Sequence, residues 1–220
     1  SMISAMVNWL DVDMTREDMA KLAFHLEREV IGLKGGLQDQ YAAVYGGFNS
    51  LVISGRNVKV EAANIPQDVI DELQCRSVLC YTGMNRDSAS IINTQITSYK
   101  QGRNDDALDA SKELAKSIRG ALRHGDIEGT GKLLDESWQY KKQFSDKVTT
   151  PEIDRLYQVA LQNGAIGGKV SGAGGGGFMY FICEYDKKGK LAKALSDSGA
   201  IISDFNFEPN GARSWRGRYE

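Results

Sequence analysis

The sequence predicts an α+β fold in which short strands flank a run of helices, and three observations support this. Runs rich in β-branched and aromatic residues, typical of strands, occur at 48–62 and again at 178–207. Between them, four segments repeat apolar residues every three or four positions, which is typical of amphipathic helices. A glycine-rich stretch at 169–177 then connects the last helical pattern to the strand-like run that follows.

Composition narrows the class of protein. The chain has 220 residues, of which 41% are apolar and 25% charged, with a formal net charge of −2. These values indicate a soluble globular protein of one or two domains, and they predict neither a nucleic-acid nor a membrane partner. The three cysteines have no Cys-x-x-Cys spacing. We therefore expect buried, reduced thiols and a cytoplasmic location.

The first third of the chain predicts helices followed by a hairpin. Residues 2–10 are apolar enough to form the end of a buried helix. Thr15, followed three residues later by an acid, predicts the start of a helix over 16–31 that ends near Gly32. A loop is expected over 32–40, and the short runs 48–54 and 57–62 predict strands.

The rest of the chain predicts a helical middle and a mixed tail. Pro66 is expected to open a helix over 67–73, after which 77–81 reads as a buried strand. The weakest boundary, 63–76, is the predicted domain junction. Predicted helices follow at Ser88–Lys100, Asp105–His124, Asp126–Phe144, Pro151–Gln162 and 187–198, with strands at 178–184 and 200–207. From residue 77 on, this order fits an antiparallel α/β sandwich of ferredoxin-like type with extra helices.

The glycine-rich stretch Lys-Val-Ser-Gly-Ala-Gly-Gly-Gly-Gly, residues 169–177, is the most informative part of the chain. With so few side chains, its backbone N–H groups can approach an anion, and phosphate is the obvious candidate. A flexible linker is the alternative, but this loop lies within a patterned segment and contains no proline. It is not a Gly-x-Gly-x-x-Gly turn into a helix. It also differs from the Gly-x-x-x-x-Gly-Lys phosphate loop, because its lysine precedes the glycines.

A second glycine cluster carries carboxylates. Glu27 lies near the predicted end of a helix, and Asp39 follows the Gly35-Gly36 pair. A helix C-terminus disfavours acids, so Glu27 and Glu29 suggest a nearby cation such as Mg²⁺. Helical geometry points the two side chains about 200° apart, so only one of them can face it, and the sequence leaves open which. An aspartate beside a substrate hydroxyl can accept its proton during phosphoryl transfer. Solvated surface carboxylates and ordinary turn chemistry remain the alternatives.

Together the two clusters resemble the GHMP kinases, the superfamily of galactokinase, homoserine kinase, mevalonate kinase and phosphomevalonate kinase. Residues 169–177 resemble its motif of a lysine followed by Ser-Gly-Ala-Gly-x-Gly-Gly. Glu27 and Asp39 resemble its metal-ligand glutamate and catalytic aspartate. The segments 35–49 and 81–88 are most similar to the sugar-1-kinases that act on D-glycero-D-manno-heptose 7-phosphate.

The resemblance implies ATP-dependent phosphorylation of the anomeric hydroxyl of a sugar phosphate. Asp39 would deprotonate or orient that hydroxyl, and Glu27 would hold Mg²⁺. The implied nucleotide-binding residues are Lys169, Ser171, Gly172, Ala173, Gly174 and Gly175. The implied substrate-binding residues are Lys34, Gly36, Gln38, Thr82, Arg86 and Ser88, although a solvated Lys34 and a surface salt bridge at Arg86 are equally open.

The chain also departs from the family pattern. The strand-rich start and the Pro-x-x-x-Gly-Leu-Gly-Ser-Ser-Ala loop, which cradles ATP phosphates in the family, have no counterpart here. The resemblance thus implies the remainder of the N-terminal ATP-binding domain over 1–70 and the C-terminal domain over 71–220. It leaves open whether this chain is active on its own, and an uncovered apolar face would favour a homodimer. A phosphate-binding module without turnover, and an isoprenoid-pathway kinase, are the competing interpretations.

Overall fold

The computed structural model describes residues 2–85 and 87–217. The chain divides into two compact units, the first comprising Ser1–Asn64 and Phe207–Glu220 and the second Ile65–Asn206. The chain thus leaves the first unit at Asn64 and returns to it at Phe207. The division into domains 1–70 and 71–220 stays a prediction, and each unit is described below by itself.

The first unit is mostly helical with one hairpin. It contains α1 (Met2–Leu10), α2 (Arg16–Phe24), a π-helical segment (His25–Val30), α3 (Gln38–Tyr45), β1 (Asn49–Ser54) and β2 (Asn57–Ala62). Its small core forms where α2 meets α3, around the buried side chains Ala20, Tyr41 and Val44. These contacts fix α3 against the helix that precedes the π-helical segment.

The predicted helix over 16–31 is present, but its last part is not a regular α-helix. Thr15 Oγ1 accepts a hydrogen bond from the Asp18 N–H at 3.1 Å, so the predicted cap is confirmed. The helical stretch continues to Val30, as predicted, but beyond Phe24 its backbone widens into a π-helix. There the Ile31 N–H bonds to the Leu26 carbonyl, five residues back, at 2.9 Å. Apolar spacing does not distinguish such a π-helical bulge from a regular α-helix.

Helix α3 lies partly in what the sequence predicts to be a loop. The predicted loop over 32–40 is wrong at its end, because α3 begins at Gln38. Its N-cap is Leu37, which makes no side-chain capping bond. Since the usual capping residue is missing, the sequence contains no local signal for this helix.

The second unit contains a four-stranded sheet with helices. Its elements are α4 (Gln67–Cys75), β3 (Ser77–Tyr81), α5 (Ser88–Lys100), α6 (Asp105–Arg123), α7 (Ile127–Lys142), α8 (Pro151–Gln162), β4 (Ala165–Val170), β5 (Phe178–Cys183), α9 (Lys188–Asp197) and β6 (Ile201–Ser203). The strands lie in the order β4-β5-β3-β6, and every neighbouring pair is antiparallel. The α+β class is therefore confirmed.

Two strands of the second unit differ from the prediction: one is not predicted at all, and the other is shorter than predicted. Strand β4 is absent from the prediction because Gly167 and Gly168 lower its apparent β-propensity. It pairs with β5 in a register that sets Lys169 opposite Tyr180. Strand β6 covers only Ile201–Ser203 of the predicted 200–207.

Strand β4 is held to the helices by a buried tyrosine. Tyr157 of α8 donates from Oη to Asp135 Oδ1 at 2.6 Å and accepts from the Gly168 N–H at 3.3 Å. The ring of Tyr157 packs in the core against Trp138 and Phe181. These contacts anchor β4, and with it the start of the glycine loop, to α7 and α8.

The cysteines depart partly from expectation. Cys80 and Cys183 are buried free thiols, as predicted, and burial raises the pKa of Cys80 to about 11. Cys75 is also free but exposed, so the expectation of burial is wrong there. It is the last residue of α4, whose buried face is formed by Val69 and Leu73 instead.

Across residues 2–85 and 87–217, no helix combines the length and apolarity needed to cross a bilayer.

Candidate functional site

Two predicted residues of the first unit, Glu27 and Asp39, line the same cavity. This cavity has a volume of about 150 Å³. Glu27 comes from the π-helical segment and Asp39 from the first turn of α3. The other residues that line the cavity are Ile3, Ser4, Met19, Ala23, Gln40, Ala43, Val44 and Ala212. Residues 12 positions apart in the sequence are therefore brought to one site within the first unit.

Gln40 and Arg28 connect the two carboxylates. Gln40 is buried, and its Nε2 donates to Glu27 Oε2 at 2.6 Å. Arg28 Nη2 lies 3.7 Å from Glu27 Oε2 and 4.0 Å from Asp39 Oδ2. The Asp39 side chain itself is 71% exposed, so it is open to a substrate group. The sequence predictions miss both connecting residues, although Arg28 is the only base in the run Glu27–Glu29.

Glu29 faces different partners. Its Oε2 lies 2.7 Å from His25 Nδ1, and its Oε1 lies 3.5 Å from Arg56 Nη2. The hydrogen bond from His25 lowers the pKa of Glu29 below its usual value. Of the two glutamates, only Glu27 lies on the cavity that Asp39 also lines.

The loop between the two acids is organised around Arg28. Its Nη1 donates to the carbonyl oxygens of Leu33 at 3.4 Å and Lys34 at 3.2 Å. Gly35 lies against the Arg28 guanidinium. A Cβ added at Gly35 would be 2.6 Å from Nη1, so any side chain there would displace the guanidinium. The predicted substrate-binding residues Lys34, Gly36 and Gln38 are all exposed around this loop.

The glycine loop of the second unit is a tightly fixed connection between β4 and β5. The Gly175 N–H donates to the Val148 carbonyl at 2.7 Å, and the Gly177 N–H donates to the Met84 carbonyl at 3.3 Å. Gln95 Nε2 donates to the Ala173 carbonyl at 2.8 Å. These bonds do not fit the flexible-linker alternative, because the loop is tied to three separate parts of the second unit.

Glycine is required in this loop by both conformation and space. Gly174 has φ of 103°, and an added Cβ would lie 2.6 Å from the Val148 carbonyl oxygen. Gly176 has φ of 144°, and its added Cβ would lie 3.0 Å from the Met84 carbonyl oxygen. Both values fall in the region that L side chains rarely adopt.

The exposed part of the loop is its beginning, and a lysine lies beside it. Ser171 and Gly172 are exposed, whereas Gly174 and Gly176 are buried. Lys141, near the end of α7, donates from Nζ to the Gly172 carbonyl. An ammonium beside exposed backbone suits an anionic ligand. The sequence predictions do not include Lys141, because it lies 31 residues before Gly172.

Lys169 and Gly175 differ in their surroundings. Lys169 lies on β4, and its burial lowers the pKa of the ammonium. No carboxylate in the described part of the chain forms an ion pair with Lys169.

Gly175 borders an open depression of about 360 Å³. The depression is also lined by Asp87, Ser90, Ile91, Asp146, Lys147, Thr149 and Thr150.

Two of the remaining substrate predictions, Thr82 and Ser88, lie directly after β3 and at the start of α5. Thr82 is buried, its N–H donates to the Gly177 carbonyl at 2.9 Å, and its Oγ1 accepts from the Met84 N–H at 3.4 Å. Ser88 follows Asp87, whose carboxylate caps α5 by accepting from the Ala89 and Ser90 N–H groups. Thr82 thus braces the glycine loop, and its contact with a substrate stays a prediction. Arg86 lies outside the described residues.

The donor set of the first unit fits a hydrated Mg²⁺. This ion prefers oxygen ligands and commonly takes one or two protein carboxylates together with nucleotide phosphates. Glu27 and Asp39 supply two carboxylates on one cavity. Within the described ranges, the buried Oε1 of Gln40 has no hydrogen-bond partner, which adds an oxygen acceptor close by.

Two sequence-family models match this chain. The model of the GHMP kinases N terminal domain matches residues 1–47, and that of the GHMP kinases C terminal domain matches 118–201. Together they cover more than half of the chain. The first match contains Glu27 and Asp39, and the second contains the whole glycine loop.

Individual relatives agree with these matches. The D-glycero-alpha-D-manno-heptose 7-phosphate kinase of Campylobacter jejuni is 37% identical over 215 residues, which are 97% of this chain and 63% of that enzyme. A crystal structure of a Campylobacter jejuni protein has a TM-score of 0.76 and 36% identity, covering 98% of this chain and 62% of the other. That of a D-glycero-D-manno-heptose 1-phosphate kinase from Bacteriodes thetaiotaomicron has a TM-score of 0.73 and 28% identity, covering 98% and 60%.

The chain thus spans a little under two thirds of the length of these relatives. The models of both family domains nevertheless match this chain, the N-terminal one before the C-terminal one. The similarity to the Campylobacter jejuni kinase extends over 97% of the present chain. On this evidence the chain belongs to the GHMP kinase family.

Proposed function

We propose that this chain supports ATP-dependent phosphoryl transfer to the anomeric hydroxyl of a sugar phosphate of the D-glycero-D-manno-heptose 7-phosphate class. The observation that carries the proposal is the 37% identity to the Campylobacter jejuni kinase named for this substrate, over 97% of the chain. The geometry of Glu27 and Asp39 is consistent with it, because both line one cavity.

In this proposal Asp39 acts on the acceptor hydroxyl. The carboxylate lies at the second position of α3, in the first turn of that helix. Because it is exposed, a sugar hydroxyl can approach within hydrogen-bond distance and transfer its proton. Gln38, Gly36 and Lys34 lie in the adjoining exposed segment and are the proposed sugar-binding residues.

Glu27, with Asp39 close by, is the proposed holder of Mg²⁺. When bound, the ion would neutralise charge on the phosphoryl group and orient the nucleotide phosphates. Gln40 fixes Glu27 through its 2.6 Å hydrogen bond, so the carboxylate does not have to be ordered when the cation arrives.

The glycine loop is the proposed phosphate-binding element of the second unit. Ser171, Gly172 and Ala173 form its more accessible start, and Lys141 adds a positive charge at Gly172. Gly175 ties the loop to Val148 by a hydrogen bond and Gly174 packs closely against the same residue, while contact of these two glycines with phosphate stays a prediction. A loop fixed in this way can offer those N–H groups that are not bonded to protein carbonyls to phosphate without reorganising during the reaction.

The proposal is tested by measuring ATP consumption with D-glycero-D-manno-heptose 7-phosphate, galactose and phosphomevalonate in parallel. Turnover with the heptose phosphate alone supports it, and turnover only with phosphomevalonate contradicts it. Binding of nucleotide and sugar phosphate without any turnover would instead favour the alternative of a non-catalytic binding module.

A matched pair of variants tests the role of Asp39. Asp39→Asn should lower kcat by about 1,000-fold, because the amide cannot accept the proton. Asp68→Asn is the control, since Gln67-Asp68 opens α4 just as Gln38-Asp39 opens α3. Asp68 is exposed and lies in the other unit, so its variant should retain full kcat.

A further inference from the structure

We infer that Arg28 is a positioning residue that holds Asp39 and the 33–35 loop in their working geometry without occupying the carboxylates. The inference rests on the proposed function, in which Asp39 meets the hydroxyl and Glu27 meets the cation. It adds a role for a side chain that the family resemblance and the sequence pattern do not assign.

The contacts of the guanidinium divide into two kinds. Nη1 forms hydrogen bonds to two loop carbonyls, of Leu33 and Lys34, at 3.4 and 3.2 Å. Nη2 instead lies 3.7 Å from Glu27 and 4.0 Å from Asp39. A charge-assisted hydrogen bond is shorter, about 2.7–2.9 Å. Arg28 therefore attracts both carboxylates but leaves their acceptor lone pairs available to a cation and a hydroxyl.

The side chain is also held in place. Only 14% of it is exposed, and Gly35 leaves no room for a Cβ beside the guanidinium. A lysine could supply the charge but not the planar fork that reaches two loop carbonyls and two acids together. The loop, the arginine and the two carboxylates thus form one structural group within the first unit.

This arrangement predicts opposite changes in two measurements. Arg28→Met removes the fork, so Asp39 and the loop lose their positions and kcat should fall about 100-fold. Because Gln40 still holds Glu27, removing the positive charge beside this carboxylate should also make it bind a cation more tightly. The expected gain is about fivefold for a divalent ion roughly 8 Å from the lost charge at the dielectric constant of water. A variant that merely unfolds the site would lose both activity and cation affinity.

The experiment measures kcat with ATP and the sugar phosphate, and separately the affinity for Mn²⁺ alone by water-proton relaxation. Three variants are compared with the parent chain: Arg28→Met, Arg28→Lys and Gly35→Ala. Arg28→Lys should keep the parent's Mn²⁺ affinity but recover only part of kcat. Gly35→Ala displaces the guanidinium without removing it, so kcat should fall as in Arg28→Met.

The control is Arg56→Met. Arg56 is 91% exposed and lies 3.5 Å from Glu29, so it is also an arginine beside an acid of the π-helical segment. Both kcat and Mn²⁺ affinity should match those of the parent. Lower kcat with tighter Mn²⁺ binding in Arg28→Met supports the inference, whereas unchanged kcat, or weaker or unchanged Mn²⁺ binding, overturns it. A parent chain without turnover would contradict the proposed function, and the Mn²⁺ measurement would then decide the inference alone.

Discussion

Gln40 donates a hydrogen bond from Nε2 to Glu27 Oε2 at 2.6 Å, joining the first turn of α3 to the π-helical segment. The bond connects the two elements that carry Glu27 and Asp39. Gln40 is 4% exposed, so the amide is held by packing as well as by the carboxylate. The relative position of Glu27 and Asp39 therefore depends on a side chain that itself needs no role in the chemistry.

Replacement of Gln40 should measure the strength of this connection. Gln40→Ala removes a buried hydrogen bond to a charged group, so the free energy of unfolding should fall by about 1–2 kcal/mol. Urea unfolding followed by circular dichroism would measure the change. Gln38→Ala is the control, because Gln38 is exposed on the same helix and its loss should change stability by less than about 0.5 kcal/mol. Equal stability of the two variants would contradict the structural role given to Gln40.

Replacing a glycine of the β4–β5 loop by alanine should change stability in the opposite direction from replacing a glycine in open space. Gly174→Ala forces a side chain into a φ of 103° and against the backbone of Val148, so it should destabilise the second unit by about 2 kcal/mol or more. Gly120→Ala, within α6, meets no atom within 4 Å and should stabilise the chain by about 0.5–1 kcal/mol. Thermal unfolding of both variants checks the two signs. A stabilising Gly174→Ala would mean that the loop is not held in the conformation described here.

Features predicted correctly from the sequence are those with a local chemical signal. Thr15 followed by an acid marks the start of α2, and the apolar periodicity of α5 to α8 marks four helices. Helix α3 has no such signal, because Leu37 provides no cap. Strand β4 contains Gly167 and Gly168, which suggest a loop until the pairing with β5 is known.

The residues of the candidate site likewise divide into those with a signal in the sequence and those without one. The residue types and motif order identify Glu27, Asp39 and the glycine loop as candidates, but only the fold separates Glu27 from Glu29. Both glutamates lie on the π-helical segment, and of the two only Glu27 lines the cavity, which their spacing in the sequence does not reveal. Arg28, Gln40 and Lys141 act through contacts made by folding, and for Gln40 and Lys141 these reach across 13 and 31 positions of sequence.

Lys141 should contribute to the binding of a polyphosphate. Its ammonium donates to the Gly172 carbonyl at the exposed start of the glycine loop. Lys141→Met removes a charge that can reach phosphate, so the affinity for Mg²⁺-ATP measured by calorimetry should fall about tenfold. Lys132→Met is the control, because Lys132 lies on the same helix but pairs with Glu128 at 3.1 Å on the surface. If both variants bind equally well, Lys141 does not face the nucleotide.

Lys169 should make the stability of the second unit depend on pH. Burial lowers the pKa of its ammonium from the usual 10.5, which means that the folded chain holds this proton less tightly than the unfolded chain. Between the lowered pKa and 10.5, the unfolded state therefore binds more protons, and stability rises as the pH increases. Below that range the burial of the charge costs stability in full, and above 10.5 the cost disappears.

Lys169→Met removes this cost, because methionine has a similar length and no charge to desolvate. The variant should be more stable than the parent at pH 7, and the difference should shrink as the pH approaches 10.5. Urea unfolding at several pH values measures it, with Lys59→Met as the control because the Lys59 side chain is 75% exposed. A difference that stays constant with pH would show that Lys169 is solvated rather than buried. If the more stable variant also binds Mg²⁺-ATP less well, the cost of burying this lysine is retained for phosphate recognition rather than for folding.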